Sequence, residues 1–266
     1  MRSARLSILC ALAITCFGNP SLARQTPSDL STSARTLLQD TDPTKTSYRH
    51  KDTSVLWKTE DHPAECYADC SALITAILKH ACKINDTQLS NWLGRKRPLA
   101  RDYYDTIVAE RGFTKLENPK DIHPGDIIAF KYPASAKDTG HCMIADGDAT
   151  ERTATEPLIE NTKQWELPII DSTGSSHGKG DTRRDKDGKT RSGLGRGTIR
   201  LYITDNKIVG YTWSTGPKSV YRPATERAIA VGRLNITDPA PWLKEHTAEP
   251  EKRDDGDGNP EPSAAR

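Results

Sequence analysis

Tyr67-Ala68-Asp69-Cys70-Ser71-Ala72-Leu73-Ile74-Thr75-Ala76-Ile77-Leu78-Lys79-His80-Ala81-Cys82 is the stretch from which the fold is read. Leu73, Ile74, Ile77, Leu78 and Ala81 recur at helical spacing, so one face of a helix here is apolar. Cys70 lies on the same stripe, four residues before Ile74 and seven before Ile77. It therefore occupies the first turn and faces whatever the helix packs on. Asp69 is the expected N-cap. At such a position the positive end of the helix dipole favours a thiolate. A buried, inert cysteine fits the same helix, so the stripe alone assigns Cys70 no role.

Outward from this helix the chain changes character. Asp86–Leu93, stopped by Gly94, and Arg101–Arg111 are two further candidate helices. Beyond them the apolar runs are short and bounded by turn residues. Asp126–Lys131 follows Pro124-Gly125, His141–Asp146 follows Gly140, and Leu167–Ser172 ends at Thr173-Gly174. Gly197–Ile203 and Ile208–Trp213 flank Thr204–Lys207 as a hairpin, and Ala228–Leu234 is a last strand. Helices followed by antiparallel strands predict an α+β fold, with N-terminal helices packed on an antiparallel β-sheet. Ser175–Arg196, dense in Gly, Asp, Lys and Arg, reads as a long exposed loop of the kind that often carries function.

The strands supply partners for Cys70. Alternation puts His141, Met143 and Ala145 on one face of their strand and Cys142 and Ile144 on the other. A histidine opening a strand and aimed at a helix N-terminus can take the thiol's proton, giving an activated ion pair. A third group should orient the imidazole through its other nitrogen. Asp171, sharing a face with Leu167 and Ile169, is the favoured candidate, because a strand fixes geometry better than a loop. His177 is the alternative third residue.

These residues carry a resemblance. Tyr67-Ala68-Asp69-Cys70-Ser71-Ala72-Leu73-Ile74 resembles the nucleophile motif of the NlpC-type cell-wall peptidases, a papain-like cysteine hydrolase family. His123-Pro124-Gly125-Asp126-Ile127-Ile128-Ala129-Phe130 is similar to the strand preceding that family's catalytic histidine, and Gly140-His141-Cys142-Met143-Ile144 to its histidine strand. The resemblance covers about residues 55–175. It departs from the family pattern at Ala72, where glycine is usual, and at Asp171, where histidine is common. It implies a papain-like fold and cleavage of amide bonds in peptidoglycan stem peptides, next to D-glutamate. It also implies that Tyr67, Asp69 and Ser71 recognise a free amino end. A carboxylate, a hydroxyl and a phenol suit an ammonium group, although Asp69 and Ser71 would equally serve as helix caps. An acyltransferase or another amidase on the same fold, or a non-catalytic wall-binding module, are the alternatives.

The ends of the chain bear on compartment. Arg2 and Arg5 precede an apolar run from Leu6 to Phe17, a Gly18-Asn19-Pro20 break and Ser21-Leu22-Ala23. That is the layout of a secretory signal peptide over residues 1–23, too short to span a bilayer. Residues 24–47 read as a flexible leader with a short apolar patch at Ala34–Leu38, 48–240 as the catalytic domain, and 241–266 as a disordered charged tail. Removing the signal takes away two basic residues and no acidic ones, leaving 36 of each. A balanced charge gives no argument for a nucleic-acid partner, and none is expected. The mature protein is expected to be periplasmic or secreted, monomeric, free of the membrane and without a cofactor.

Cys66, Cys70, Cys82 and Cys142 remain after signal cleavage. Export permits disulfides. Cys66 and Cys82 would lie about 24 Å apart along an unbroken helix, too far to bridge. One bridge, or none, stays open. His62, Cys66 and Cys70 recur every fourth residue, but this is a poor zinc spacing and Pro63 interrupts it. No metal is expected.

Overall fold

The computed structural model describes residues 27–236. The signal-peptide reading at 1–23 and the tail reading at 241–266 lie outside those residues. The first element is a helix, α1 (Pro27–Asp40), running into β1 (Thr41–Ser47). This corrects the expectation of a flexible leader. Leu30, Ala34 and Leu37 stand four and three residues apart and are wholly buried. That stripe is enough to dock an otherwise polar helix, so the folded domain takes in residues 27–47.

Strands β2 (Ser54–Leu56) and β3 (Ala64–Tyr67) follow. β3 lies between β1, parallel to it, and β2, antiparallel to it, in a three-stranded sheet. Next come α2 (Cys70–Cys82), α3 (Asp86–Leu93) and α4 (Ala100–Val108). The α3 capping box pairs Asn85 with Gln88, and Gly94 ends the helix with φ of 85°.

The remaining strands are β4 (Phe113–Leu116), β5 (Ile127–Lys131), β6 (Gly140–Ala145), β7 (Thr150–Arg152), β8 (Lys163–Thr173), β9 (Gly193–Thr204), β10 (Lys207–Thr212), β11 (Tyr221–Pro223) and β12 (Ala228–Leu234). They form a nine-stranded sheet in the order β11-β10-β9-β8-β6-β5-β12-β4, with β7 paired to β8. The α+β class and the antiparallel sheet expected from the sequence are present.

Strand alternation divides the interior in two. Ala129, Cys142, Ile144 and Ile170 face the helices and pack with Leu37, Leu73, Ile74 and Ile77. Ile128, Phe130, Met143 and Leu167 face the other way and pack with Ile199, Leu201 and Tyr211. Phe130 on β5 and Tyr211 on β10 have three strands between them in the sheet order, yet their ring centroids are 4.4 Å apart. The sheet therefore curls around this second core.

The Pro-Gly-Asp turn sets the β5–β6 register. Gly125 N–H donates to the Ala145 carbonyl at 2.9 Å, and Ala145 N–H to the Asp126 carbonyl at 2.8 Å. The buried Asp126 carboxylate accepts from Arg233 of β12 at 3.0 and 2.8 Å and from the His123 N–H at 2.8 Å. These bonds fix Phe130 opposite His141.

Candidate functional site

Cys70 is the first residue of α2 and is 5% exposed. Asp69 caps the helix, its Oδ1 accepting from Ala72 N–H at 2.8 Å and from the Ser71 hydroxyl at 2.9 Å. The N–H groups of this first turn have no intrahelical acceptor. His141 reaches Cys70 from the start of β6. β6 pairs with β8 through Ile144–Ile170 and Ala145–Ile169, beyond His141. Where β6 and β8 no longer pair with each other, the α2 N-terminus meets the imidazole.

Gly140 makes the approach possible. Its φ is 149°, and a Cβ there would lie 1.8 Å from the Phe130 carbonyl oxygen. A side chain would push the start of β6 away from β5 and carry His141 with it.

His141 Nε2 lies 2.7 Å from Asp171 Oδ2. This leaves Nδ1 as the nitrogen that faces Cys70. Burial alone would drive the imidazole toward neutrality. The charge of Cys70 and hydrogen bonds to Asp171 and Cys70 outweigh that and hold its pKa well above the usual histidine range. The arrangement favours the imidazolium form of His141 beside Cys70.

Asp171 is completely buried and meets three basic side chains. Oδ2 also meets His177 Nε2 at 3.0 Å, and Oδ1 accepts from Arg183 Nη2. Burial works against its charge, but the positive charges of His177 and Arg183 and hydrogen bonds from both imidazoles hold its pKa well below the carboxylate range. Asp171 and His177 are thus not competing third residues: Asp171 takes His141, and His177 stands behind Asp171.

Arg183 is the third partner of Asp171. The segment read as an exposed loop, Ser175–Arg196, keeps Lys179 and residues 184–187 exposed but turns His177, Asp181 and Arg183 inward, and β9 begins within it at Gly193. Arg183 is anchored to Asp181 Oδ2 at 2.7 Å, the Gly193 carbonyl at 2.8 Å and the Asp171 carbonyl at 2.7 Å. The alternating glycines Gly193-Leu194-Gly195-Arg196-Gly197 are the signal that points to this packing. A Cβ at Gly195 would come within 2.7 Å of Arg183 Cγ, and one at Gly197 within 2.5 Å of His177 Cβ.

Two aromatic residues complete the surroundings. Trp213 stands edge-on to His141, with centroids 4.8 Å apart, and lies over His177 at 4.3 Å. Tyr48 is half-buried beside Cys70. Burial, then the negative charges of Cys70, Asp69 and Asp138, push its phenol pKa up, so it stays a hydroxyl. Tyr48 carries no periodic signal in the sequence.

The expected ammonium site is filled from within the chain. Asp69 Oδ2 pairs with Arg97 at 2.9 Å, and the Arg49 guanidinium lies 4.1 Å over the Tyr67 ring. Ser71 gives its hydrogen to Asp69. Asp69 acts as the helix cap with Ser71 bonded to it, and the rim beside Cys70 presents arginines.

Among the described residues Cys66, Cys70, Cys82 and Cys142 are all free, so no bridge joins them. Burial pushes the Cys66 and Cys82 thiols up to about 12. Burial, with the charges of Cys70, Asp69 and Asp102, raises Cys142 well above its ordinary value. Among the described residues, no group of three His, Cys, Asp or Glu is placed to hold a metal ion. Nor is any of their helices long and apolar enough to cross a membrane.

Fold and site together define an α+β protein with a buried Cys–His–Asp chain at a helix N-terminus. Over 204 residues the chain is 37% identical to the uncharacterized protein R653 of Acanthamoeba polyphaga mimivirus, covering 72% of this chain and 89% of the viral one. The chain belongs to the same family as that viral protein. No family model and no solved structure matches it.

Proposed function

We propose that this protein is an exported cysteine hydrolase of the papain-like kind that cleaves amide bonds. The observation that carries the reading is the chain from Cys70 through His141 to a fully buried Asp171, with Nε2 and Oδ2 2.7 Å apart. A buried carboxylate in contact with two imidazoles and a guanidinium is costly unless its hydrogen bonds are used, and here one of them orients a histidine against a thiol.

In the reaction, His141 holds the Cys70 proton and the thiolate attacks the amide carbonyl carbon. The oxygen that becomes negative is met by the Cys70 N–H at the open helix end and by the Tyr48 hydroxyl. His141 then gives its proton to the leaving amine, the C–N bond breaks and a thioester remains. His141 next takes a proton from water, which attacks the thioester and releases the acid and the thiol.

Peptidoglycan stem peptides are the proposed substrate, on the resemblance of the Cys70, Pro124-Gly125-Asp126 and His141 motifs and on the signal-peptide layout. Arg49 and Arg97 at the rim favour a substrate carboxylate over a free amine. Incubation with peptidoglycan fragments, read by mass spectrometry, tests the proposal. New amine ends should appear with the wild type and not with Cys70→Ala. Absence of cleavage by the wild type removes the substrate, and cleavage by Cys70→Ala removes the mechanism.

A further inference from the structure

Both nitrogens of the His177 ring face acceptors. Nδ1 lies 2.7 Å from the Trp213 carbonyl oxygen, and Nε2 lies 3.0 Å from Asp171 Oδ2. Neither a carbonyl nor a carboxylate has a hydrogen to offer, so each contact is a hydrogen bond only when the ring nitrogen donates. An imidazolium satisfies both contacts, and no neutral tautomer does. The ring has no room to turn away. Its side chain is completely buried, its main-chain N–H donates to Asp181 Oδ2 at 2.7 Å, and Gly197 of β9 presses against its Cβ. The charged and titratable groups that face it are Asp171 on β8, His141 on β6 across the shared oxygen, and Asp181 and Arg183 on its own segment. Trp213, after β10, covers its face.

We propose that His177 is a cationic positioning residue: its two hydrogen bonds fix Asp171 and the Trp213 main chain, and its charge sets the pH range over which the Cys70–His141 ion pair exists. This role rests on the cysteine-hydrolase reading; the charge on the ring does not. The direction follows from sign. A fixed positive charge behind the site favours a thiolate and disfavours a second imidazolium. Removing it makes Cys70 harder to ionise and His141 harder to deprotonate. Both edges of the active range then move upward together. Loss of packing alone would lower the height of the profile and leave its edges in place.

Two measurements on the full chain test this. Nitrogen-15 NMR of the wild type at pH 7 reads the ring itself: hydrogen on both His177 nitrogens is expected, and a neutral ring overturns the proposal whatever the protein catalyses. The second is the rate of Cys70 carboxymethylation by iodoacetate against pH, for wild type, His177→Gln and His177→Asn. This anionic reagent reacts faster as the thiolate forms and slower as His141 loses its proton. Both edges should rise by about half a pH unit or more in whichever variant folds. Edges that stay where they are overturn the proposal. A wild-type profile without reactivity below neutral pH overturns the hydrolase reading and the positioning role with it, whereas the NMR result still decides the charge.

Discussion

The Ser172 hydroxyl donates to the Ala68 carbonyl at 2.6 Å, tying the strand that carries Asp171 to the turn that leads into Cys70. Ala68 N–H in turn donates to the Ser47 carbonyl at 3.2 Å. The Cys70 helix is thus pinned to β8 and to β1 next to Asp171, the residue that orients His141. In Ser172→Ala the Ala68 carbonyl loses a buried partner, at a cost of about 1–3 kcal/mol. A small shift of Cys70 against His141 should lower kcat by about tenfold or more with KM little changed. Thermal unfolding and steady-state kinetics check both effects. A variant with wild-type kcat would show that the pin does not govern the site.

Asp171→Asn tests the buried acid. It leaves Arg183 and His177 without their anion, so stability should fall by about 3–5 kcal/mol, and the imidazole loses the acceptor that orients it. Because the pKa of Asp171 is lowered on folding, its stabilisation is full above the ordinary value of 3.8 and is lost only as pH falls through the depressed native value. The stability gap between wild type and Asp171→Asn should therefore stay flat from pH 7 to about pH 4 and narrow below it. Urea unfolding across that range measures it. A gap that closes near pH 6 would mean the carboxylate is not held ionised as described.

His141 has the opposite sign. Its pKa is raised on folding, so its contribution is full below the ordinary value of 6.5 and is lost as pH rises through the raised native value. Comparing wild type with His141→Ala by urea unfolding from pH 6 to pH 10 should show an advantage for the wild type that shrinks toward the alkaline end. An advantage that grows with pH would contradict the ion pair.

Gly140→Ala should place a methyl group against the Phe130 carbonyl and strain a φ of 149°. The expected cost is about 1–3 kcal/mol, with loss of activity beyond that of an equally destabilising core change. Leu37→Ala on α1 supplies that reference. It should destabilise by about 2–5 kcal/mol while leaving kcat per folded molecule intact. Equal activity in the two variants would separate Gly140 from the site.

How legible these features are in the sequence follows from their physics. The α2 stripe repeats five apolar residues at helical spacing, and the strands of His141 and Asp171 are apolar runs beside glycines, so both alternation and order can be read. α1 escapes because its buried apolar residues, Leu30, Ala34 and Leu37, are few and lie among Ser, Thr, Gln and Asp. A three-residue stripe in a polar background looks like a linker until its docking surface is known. Arg183 escapes for a related reason. It is one charge in a charged run, and only the glycines that make space for it on β9 distinguish it. The roles given by resemblance to Asp69 and Tyr67 fail where a distant residue intervenes: Arg97 and Arg49 occupy the positions where an ammonium group was expected.

The most direct test of the Cys70–His141 pair is competitive labelling of the four thiols with iodoacetamide at pH 6, followed by peptide mapping. Cys66 and Cys82, pushed up to about 12, and Cys142, also raised well above its ordinary value, should remain unmodified in the folded protein. Cys70 alone should be alkylated, and His141→Ala should abolish that selectivity. Labelling of Cys70 no faster than the other three, or unaffected by loss of His141, would contradict the account.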